Sequence, residues 1–354
     1  MSESLHILCD RWLGNTGPQS DIVVSSRARL ARNLAGARFA RSSTPEDLKR
    51  VHDAVAAAIS AEPIFSEFHE IVLADLSAAE RSILREAHLI SPELERHTKH
   101  CAVHLAPDAS ISVMVNEEDH IRMQAIVTGY RVREAHRVIN EVDDTLTRHL
   151  QFAFSSRLGY LTACPTNTGT GLRASVMLHL PGLVMNGDVE KIIREIAEHG
   201  FAVRGLYGEG SNCTGDLYQI SNEVTLGKSE EEIIESLLGV LDQLIVRERD
   251  ARQSLFNEKP VFVEDAIWRS YGTLVQARMI NSAEAIGLLS RLRLGIERGH
   301  FHDRLTHHDL NRLLIEIQPG HLMAMRKVAE ETELRDAARA DFLRERLIDI
   351  ANSN

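Results

Sequence analysis

Five arginines and two acidic segments are the residues of this chain best suited to chemistry. Arg27 and Arg29 stand two apart, so an extended backbone directs both side chains to one side. A guanidinium is a planar fork of donors that keeps its charge, which suits phosphate oxygens. Three further arginines begin or lie within predicted strands, namely Arg122, Arg173 and Arg204. If the five converge, the pattern predicts a polyphosphate site, although each arginine taken alone is more often a solvated surface residue.

The acidic segments are Asn116-Glu117-Glu118-Asp119-His120 and the loop of residues 204–209 that ends at Glu209. Consecutive carboxylates repel one another unless a nearby cation compensates their charge. An acidic turn by itself often serves only solubility. Beside the arginines, these segments indicate that a cation binds nearby.

A polar loop, Cys164-Pro165-Thr166-Asn167-Thr168-Gly169-Thr170-Gly171, leaves backbone N–H groups free to meet anions. It lacks the Gly-Lys-Ser/Thr ending of a Walker loop. A lone cysteine is often a small core residue, but one placed before proline in a glycine loop is less often buried. The chain has four widely spaced cysteines, which predict free thiols and neither a zinc site nor a disulfide framework: Cys9, Cys101, Cys164 and Cys213.

The elements that must position these residues follow from periodicity. Thr44 before Pro45 begins one helix, and Ser229 with Glu232 forms a capping box for a long second helix. Residues 173–180 alternate with period two, as a strand with two different faces does. Further strands are predicted at residues 111–115, 120–126, 159–162, 201–206 and 217–226. Mixed helices and strands without regular alternation predict an α+β fold with a mainly antiparallel sheet flanked by helices.

The periodicity also predicts the domain organisation. Residues 1–20 are a weakly patterned leader, and residues 21–255 are a mixed helix-and-strand domain that carries the arginines and acidic segments and is therefore the candidate catalytic domain. Residues 256–354 are an all-helical domain in which Gly320 marks a break. The boundary is placed near residues 250–262.

Composition limits the function classes. The chain has 354 residues, 44% of them hydrophobic, and a formal net charge of −11. This charge argues against a general nucleic-acid or anionic-membrane binder, and we expect no direct partner of either kind. We see no signal-peptide pattern and no apolar run of membrane-spanning length, so a cytoplasmic location is expected.

The motifs together resemble the guanidino (phosphagen) kinase superfamily over roughly residues 21–250. Within it, the chain most resembles the bacterial protein-arginine kinases, for two reasons. The catalytic motifs begin at residue 25, without the helical domain that precedes them in phosphagen kinases, and a helical extension follows them. That extension contains Arg335-Asp336-Ala337-Ala338-Arg339-Ala340, which matches the branch's phosphoarginine-binding Arg-Asp-x-x-Arg-Ala motif.

The resemblance implies a role for each matching residue. Glu118 is the base, Glu209 a second carboxylate that holds the guanidinium, and Cys164 a third contact to the same cation. ATP is the co-substrate, with Mg²⁺ bound through its phosphates and no dedicated protein cage. The implied phosphoarginine site comprises Arg335, Asp336, Arg339 and Ala340. The implied nucleotide contacts are Ser25, Ser26, Arg27, Ala28, Arg29, His88, Arg122, Arg173, Ala174, Ser175, Val176, Met177, Arg204, Gly205, Leu206, Tyr207, Gly208 and Glu209.

The function implied is transfer of the ATP γ-phosphate to arginine side chains of proteins in a stress response. The implied partners are protein substrates with accessible arginines, a heat-shock repressor and a Clp chaperone-protease, with a homodimer formed through the C-terminal helices. Two alternatives stay open at this point: a small-molecule arginine kinase, and a catalytically silent phosphoarginine-binding adaptor.

Overall fold

The computed structural model describes residues 11–13, 17–205, 213–301, 304–329 and 331–348. Its centre is an eight-stranded sheet in which every neighbouring pair is antiparallel, in the order β2-β3-β4-β5-β1-β8-β10-β9. A short hairpin, β6–β7, stands apart from it. The strands are β1 Val23–Arg32, β2 His69–Val72, β3 Ala102–Leu105, β4 Ile111–Val115, β5 Ile121–Thr128, β6 Phe154–Ser155, β7 Gly159–Tyr160, β8 Leu172–His179, β9 Phe201–Arg204 and β10 Leu217–Asn222.

Helices flank this sheet and make up the rest of the described chain after β10, so the predicted α+β class with a mainly antiparallel sheet is confirmed. The helices are α1 Pro45–Ala61, α2 Ala78–Glu86, α3 Pro92–Arg96, α4 Val132–Thr147, α5 Pro181–Asn186, α6 Val189–Glu198, α7 Glu230–Glu258, α8 Pro260–Gln276, α9 Ser282–Glu297, α10 His307–Glu316, α11 Pro319–Arg326 and α12 Thr332–Leu347. Short 3₁₀ turns lie at Arg11–Leu13, Ala40–Ser42, Pro63–Phe65, Leu73–Asp75 and Pro165–Asn167.

Two helix starts form as their sequences predict. The Thr44 hydroxyl accepts from the Asp47 amide and the Asp47 carboxylate accepts in return, which caps α1. Ser229 and Glu232 make the same reciprocal pair at α7. Such a box satisfies backbone donors that a helix leaves unpaired in its first turn.

The sheet has one apolar and one polar face over its central strands. On the apolar face, Ala28 and Leu30 of β1 are fully buried beside Val176 of β8, in a core shared with α1, α4 and α7. Because strand side chains alternate, the residues between them project from the other face. That second face carries Arg27 and Arg29, so the hydrophobic core fixes the direction in which the arginines point.

The helices after β10 pack on the end of this sheet. Val24, Met177 and Leu217 share one apolar core with α8, α9, α10 and α12. Helix α7 continues past residue 255 and ends at Glu258, inside the range of 250–262, and Lys259 alone separates it from α8. The domain boundary therefore stays a prediction.

The predicted break at Gly320 is misplaced, because α11 begins one residue earlier at Pro319. Proline suits a first helical turn, where its missing N–H has no partner in any case. Gly320 instead permits a close approach, since a Cβ there would lie 2.9 Å from Glu86 Oε2. The C-terminal helical region is divided again after this point, because α11 ends at Arg326 and α12 starts at Thr332.

Two predicted strands are shorter than expected. β7 ends at Tyr160 and β10 at Asn222. In both cases the next residues turn toward the Cys164 loop: Thr162 Oγ1 donates to the Cys164 carbonyl, and Thr225 Oγ1 donates to the carbonyls of Thr166 and Thr168. No helix in the described part of the chain is long and apolar enough to cross a membrane.

Candidate functional site

A cleft of about 590 Å³ lies on the polar face of the sheet. Strands, the α2–α3 connection and the Cys164 loop all contribute to it. Its lining includes the five predicted arginines and two of the predicted catalytic residues: Arg27, Arg29, Arg122, Arg173, Arg204, Glu118 and Cys164. Residues that are up to 177 positions apart in sequence therefore meet on one surface. This convergence is the condition on which the predicted polyphosphate site depended.

Strand register brings the arginines together. Arg29 of β1 stands opposite Arg173 of β8 and opposite Gln124 of β5. Arg27 is held by neutral partners, because its Nη2 donates to Gln219 Oε1 at 3.0 Å and its Nε to Ser175 Oγ at 3.4 Å. Neutral acceptors orient a guanidinium without cancelling its charge, which leaves that charge available to a ligand.

The arginines act on one another electrostatically. Burial lowers the pKa of Arg27 to about 10, and the charges of Arg122, Arg173 and Arg204 contribute to the same effect. Burial, followed by the charges of Arg27, Arg122 and Arg173, lowers the pKa of Arg29 still further. Arg29 Nε is also buried without a hydrogen-bond partner. A cluster of cations arranged in this way is stabilised by an anion with several oxygens.

The three consecutive carboxylates have different surroundings. Glu117 is buried; its Oε1 accepts from Ser91 Oγ and from Arg122 Nη1, both at 2.5 Å, and its Oε2 accepts from the Glu118 amide at 2.8 Å. Its hydrogen bonds therefore hold the cleft wall together. Asp119 is fully buried and the Glu117 side chain is 2% exposed, which leaves Glu118, at 20%, as the most accessible of the three carboxylates in the cleft.

Glu118 lies between two arginines. Its side chain is 20% exposed, with Arg41 Nη2 at 3.3 Å and Arg122 Nη2 at 3.5 Å. Burial raises its pKa, the charges of Glu117 and Asp119 add to that rise, and Arg122 and Arg41 oppose it. A carboxylate with a raised pKa is a better proton acceptor than a free one.

Asp119 links the acidic turn to the Cys164 loop. Its Oδ1 accepts from Asn33 Nδ2 and from the Ala163 amide, both at 2.6 Å. Ala163 is adjacent to Cys164, and Asp119 is adjacent to Glu118. One buried carboxylate therefore sets the position of Cys164 relative to Glu118.

Cys164 is half-buried, as its place in the sequence predicted, and its thiol is free. Its Sγ lies 3.0 Å from Thr166 Oγ1. The loop that follows is fixed along its length, because the Thr225 hydroxyl bonds to two of its carbonyls and Tyr160 pairs with Gly169. Of the cysteines in the described chain, Cys164 is the one that lines the cleft.

A narrow apolar slot of about 40 Å³ adjoins the cleft and shares Arg27, His88 and Gln219 with it. His88 has a left-handed backbone, φ 62°, which is uncommon for a residue with a side chain, and its carbonyl accepts from Gln124 Nε2 at 2.7 Å. Burial, with the charges of Arg27 and Arg85, lowers the pKa of His88 to about 3. The ring is therefore neutral at physiological pH and presents a flat, uncharged surface.

Not every predicted nucleotide contact reaches this site. Ser25, Ser175 and Met177 line the slot, and Gly205 follows the end of β9. Ser26, in contrast, donates to the Gly129 carbonyl on the far side of the sheet. Alternation directs three more predicted side chains into the apolar core, namely Ala28, Ala174 and Val176. The predictions for Leu206, Tyr207, Gly208 and Glu209 fall outside the described residues.

The Arg-Asp-x-x-Arg-Ala segment lies on α12, and its two arginines have different surroundings. Arg339 is 2% exposed and donates to the carbonyls of Ile317 and Ile280, both at 2.8 Å, and to Asp336 Oδ1 at 2.5 Å. Ala340 is in the core. Arg335 is partly exposed, and its Nη2 donates to Thr332. Arg339 therefore points inward while Arg335 stays partly exposed, and the phosphoarginine-binding role of this segment stays a prediction.

The C-terminal helices also contact the cleft wall. Glu86, at the end of α2, is 1% exposed; its Oε1 accepts from the Gly320 amide and its Oε2 from the His321 amide and ring. Glu86 precedes His88 by two residues. The start of α11 is therefore tied to the segment that carries His88.

Sequence reasoning missed several residues of the site. Gln124 alternates in phase with Arg122 on β5, so the period of that strand could have indicated it. Gln219 lies opposite Arg204 of β9, a register that the sequence does not give. Ser91 stands before Pro92 as a helix cap, a signal of structure with no indication of its bond to Glu117. Arg41 lies outside every motif, and nothing in the sequence indicates its proximity to Glu118.

Comparison with known proteins agrees with this geometry. Residues 50–251 match the family model described as ATP:guanido phosphotransferase, C-terminal catalytic domain. Residues 260–354 match the model of the protein-arginine kinase McsB C-terminal domain. The chain is 44% identical over 338 residues to a protein-arginine kinase of Geobacillus stearothermophilus, covering 95% of this chain and 93% of that protein. It is 42% identical over 347 residues to the protein-arginine kinase of Pelotomaculum thermopropionicum, covering 97% of each.

Solved structures give the same fold. A duplicated taurocyamine kinase from Schistosoma mansoni, with bound transition-state analogue components, superposes with a TM-score of 0.60 at 25% identity. The match covers 67% of this chain and about a third (35%) of that longer protein. A lombricine kinase superposes over 73% of this chain and 78% of its own length, with a TM-score of 0.58 and 23% identity, which shows the fold alone.

Fold and cleft together define a phosphotransferase of the guanidino-kinase class. The full-length relatives then narrow that class. The chain belongs to the protein-arginine kinase family.

Proposed function

We propose that this chain transfers the γ-phosphoryl group of ATP to the guanidinium group of arginine side chains in proteins. One observation carries the proposal: a cluster of mutually repelling arginines faces a half-buried carboxylate and a thiol across a single cleft. The arginines suit the phosphates, and Glu118 with Cys164 suits a planar cation. The relatives are protein-arginine kinases, which indicates that the acceptor arginine belongs to a protein.

ATP would lie along the polar face of the sheet. Its phosphates would meet Arg27, Arg29 and Arg173, whose raised electrostatic energy falls when an anion arrives. The neutral ring of His88, which lines both the cleft and the apolar slot, would stack against the base. Charge already in place at the transferring group contributes more to the rate than charge recruited during the reaction.

The acceptor would lie between Glu118 and Cys164. Glu118 takes a proton from a terminal guanidinium nitrogen as that nitrogen forms a bond to the γ-phosphorus. The bond from phosphorus to the bridging oxygen breaks, and ADP leaves with the electron pair. Arg122 contacts both Glu117 and Glu118. Its guanidinium would therefore lie between these carboxylates and the phosphate that is transferred.

A divalent cation is expected on the nucleotide phosphates. Among the described residues, no group of three or more His, Cys, Asp or Glu side chains is arranged to hold a metal ion. The residues of the cleft thus fit a Mg²⁺ that arrives with ATP and keeps water and phosphate as ligands. Such an ion would supply additional neutralisation of phosphate charge.

The proposal is tested by Glu118→Gln, with Glu93→Gln as a matched control on the same cleft lining. Glu118→Gln should lower kcat by ~10²–10⁴-fold while ATP binds with little change, because it removes the base and no phosphate contact. Products are measured by mass spectrometry that preserves the acid-labile P–N bond, with an unfolded protein and free arginine as acceptors. Near-normal turnover by Glu118→Gln would refute the role of this residue.

The same assay separates the alternatives. Faster phosphorylation of free arginine than of protein would favour a small-molecule kinase. Phosphoarginine binding without any ATP turnover would favour a silent adaptor. The arginine cluster weighs against the adaptor, because a chain that binds no nucleotide gains nothing from the energetic cost of placing several like charges together.

The identities of the individual partner proteins stay predictions. A Clp chaperone-protease, a heat-shock repressor and a role in stress response are expected from the resemblance. The expected homodimer is supported by exposed apolar side chains on α8, where Val261 is 79%, Phe262 58% and Trp268 43% exposed. Large exposed apolar side chains that cluster commonly mark protein interfaces.

A further inference from the structure

Four large apolar side chains stand exposed beside the Cys164 loop. Phe154 (61% exposed) and Leu158 (41%) belong to the β6–β7 hairpin. Val224 (46%) and Leu226 (48%) follow β10. The two pairs are some 70 residues apart in sequence, and we call the four side chains the apolar rim.

The Cys164 loop joins the two halves of the rim. The Tyr160 amide donates to the Gly169 carbonyl at 2.8 Å, and the Thr170 amide donates to the Thr225 carbonyl at 3.1 Å. Three backbone segments therefore lie side by side, and two steps of strand spacing separate the outer ones by about 10 Å. A Cβ on Gly169 would lie 2.3 Å from the Thr225 carbonyl oxygen, so glycine is required for this approach.

The rim is continuous with the cleft. Cys164 and Thr166 line the cleft at the start of the loop whose Gly169 is enclosed by the rim. Glu223 also lines the cleft, and Val224 is the next residue. A polypeptide that places an arginine between Glu118 and Cys164 can leave the cleft over the Cys164 loop, where the segments on either side carry the apolar rim.

We propose that the apolar rim binds apolar side chains of an extended, unfolded protein segment that flanks the acceptor arginine, an inference that rests on the proposed function. Extended chains alternate their side chains, so residues two positions from the arginine share its direction and face the enzyme. Apolar residues at those positions would cover the rim and lose contact with water. Folded proteins keep such residues inside, which restricts the preferred substrates to unfolded ones.

The test uses two acceptor peptides of identical composition. In one, leucines stand two positions before and after a central arginine among serines and glycines; in the other, the leucines are moved to the ends. The wild type should show a kcat/KM about tenfold higher for the first peptide, equivalent to ~1.4 kcal/mol. Leu226→Ser and Phe154→Ser should each reduce this ratio to about threefold or less, with the second peptide unaffected.

Val246→Ser is the control, because Val246 is similarly exposed (56%) but lies far from the rim. Helix α7 begins at Glu230, four residues after Leu226, and Val246 lies about 24 Å further along it. It should leave the ratio unchanged. Equal kcat/KM for the two peptides in the wild type, or the same proportional loss for both peptides in the rim variants, would overturn the inference. If the wild type phosphorylates neither peptide, the proposed function itself fails, an outcome distinct from equal use of both.

Discussion

Replacement of Arg27 by glutamine should stabilise the ligand-free protein while abolishing its response to ATP. Arg27 sits among like charges, and burial with that repulsion lowers its pKa to about 10. The charged form is therefore less stable in the folded protein than in the unfolded chain. Each pKa unit corresponds to about 1.4 kcal/mol, so the charge costs about 3 kcal/mol at neutral pH.

The gain is smaller than this cost. Glutamine loses the hydrogen bonds from Arg27 to Ser175 and Gln219, each worth roughly 0.5–1 kcal/mol. The net stabilisation expected is about 1–2 kcal/mol, or a Tm rise of roughly 1–3 °C for a chain of this length. Mg-ATP should raise the Tm of the wild type by mass action and leave that of Arg27→Gln nearly unchanged.

The pH dependence has a definite sign. Because the folded-state pKa lies below the unfolded one, the cost is fully present below pH 10 and declines as pH rises through 10 toward the unfolded value. The Tm advantage of Arg27→Gln should therefore be constant near neutrality and shrink above pH 10.

Differential scanning calorimetry with and without Mg-ATP provides the assay. Arg269→Gln is the control, since Arg269 is 78% exposed and pairs with Asp265 on the surface; the Tm of this variant should differ from that of the wild type by less than about 1 °C. The reasoning is refuted if Arg27→Gln lowers the Tm of the ligand-free protein, or if ATP still stabilises the variant as it does the wild type.

Three further predictions concern other parts of the site. The raised pKa of Glu118 should place the acid limb of kcat above the ordinary carboxyl range, since the base works deprotonated; an acid limb that persists in Glu118→Gln would contradict this. Asp119→Leu should lower kcat at least tenfold with ATP affinity retained, because the Cys164 loop loses its anchor, and unchanged kcat by steady-state kinetics would argue against that role. Arg335→Ala should weaken phosphoarginine binding in calorimetric titration with a Tm near that of the wild type, whereas Arg339→Ala should lose ~2–4 kcal/mol of stability in urea unfolding; equal stability of the two would contradict the division between them.

Local rules predicted the parts of this molecule that depend on neighbours in sequence. The capping boxes at Thr44 and Ser229 formed because both partners lie within one turn. The alternation along β8 gave its two faces, and the shared direction of Arg27 and Arg29 follows from the same period of two. These features need only backbone geometry, which the sequence encodes directly.

Features that depend on distant partners were not predictable in this way. Three adjacent carboxylates look alike in sequence, yet Ser91 and Arg122 bind Glu117 while Asn33 and the Ala163 amide bind Asp119. Arg339 likewise cannot be distinguished from Arg335 by its place in the Arg-Asp-x-x-Arg-Ala motif. It points inward because two carbonyls from other segments are there to accept its hydrogen bonds.

The Asp119 contact has a consequence for motion. The buried carboxylate of Asp119, in the acidic turn, accepts hydrogen bonds of 2.6 Å from the Ala163 amide of the Cys164 loop and from Asn33. These bonds leave the acidic turn and the Cys164 loop little freedom to separate. We therefore expect Glu118 and Cys164 to move together as one unit. Any closure around an incoming arginine must be made by the facing wall of the cleft, and the Ala163 amide should be among the slowest in the loop to exchange its hydrogen for deuterium.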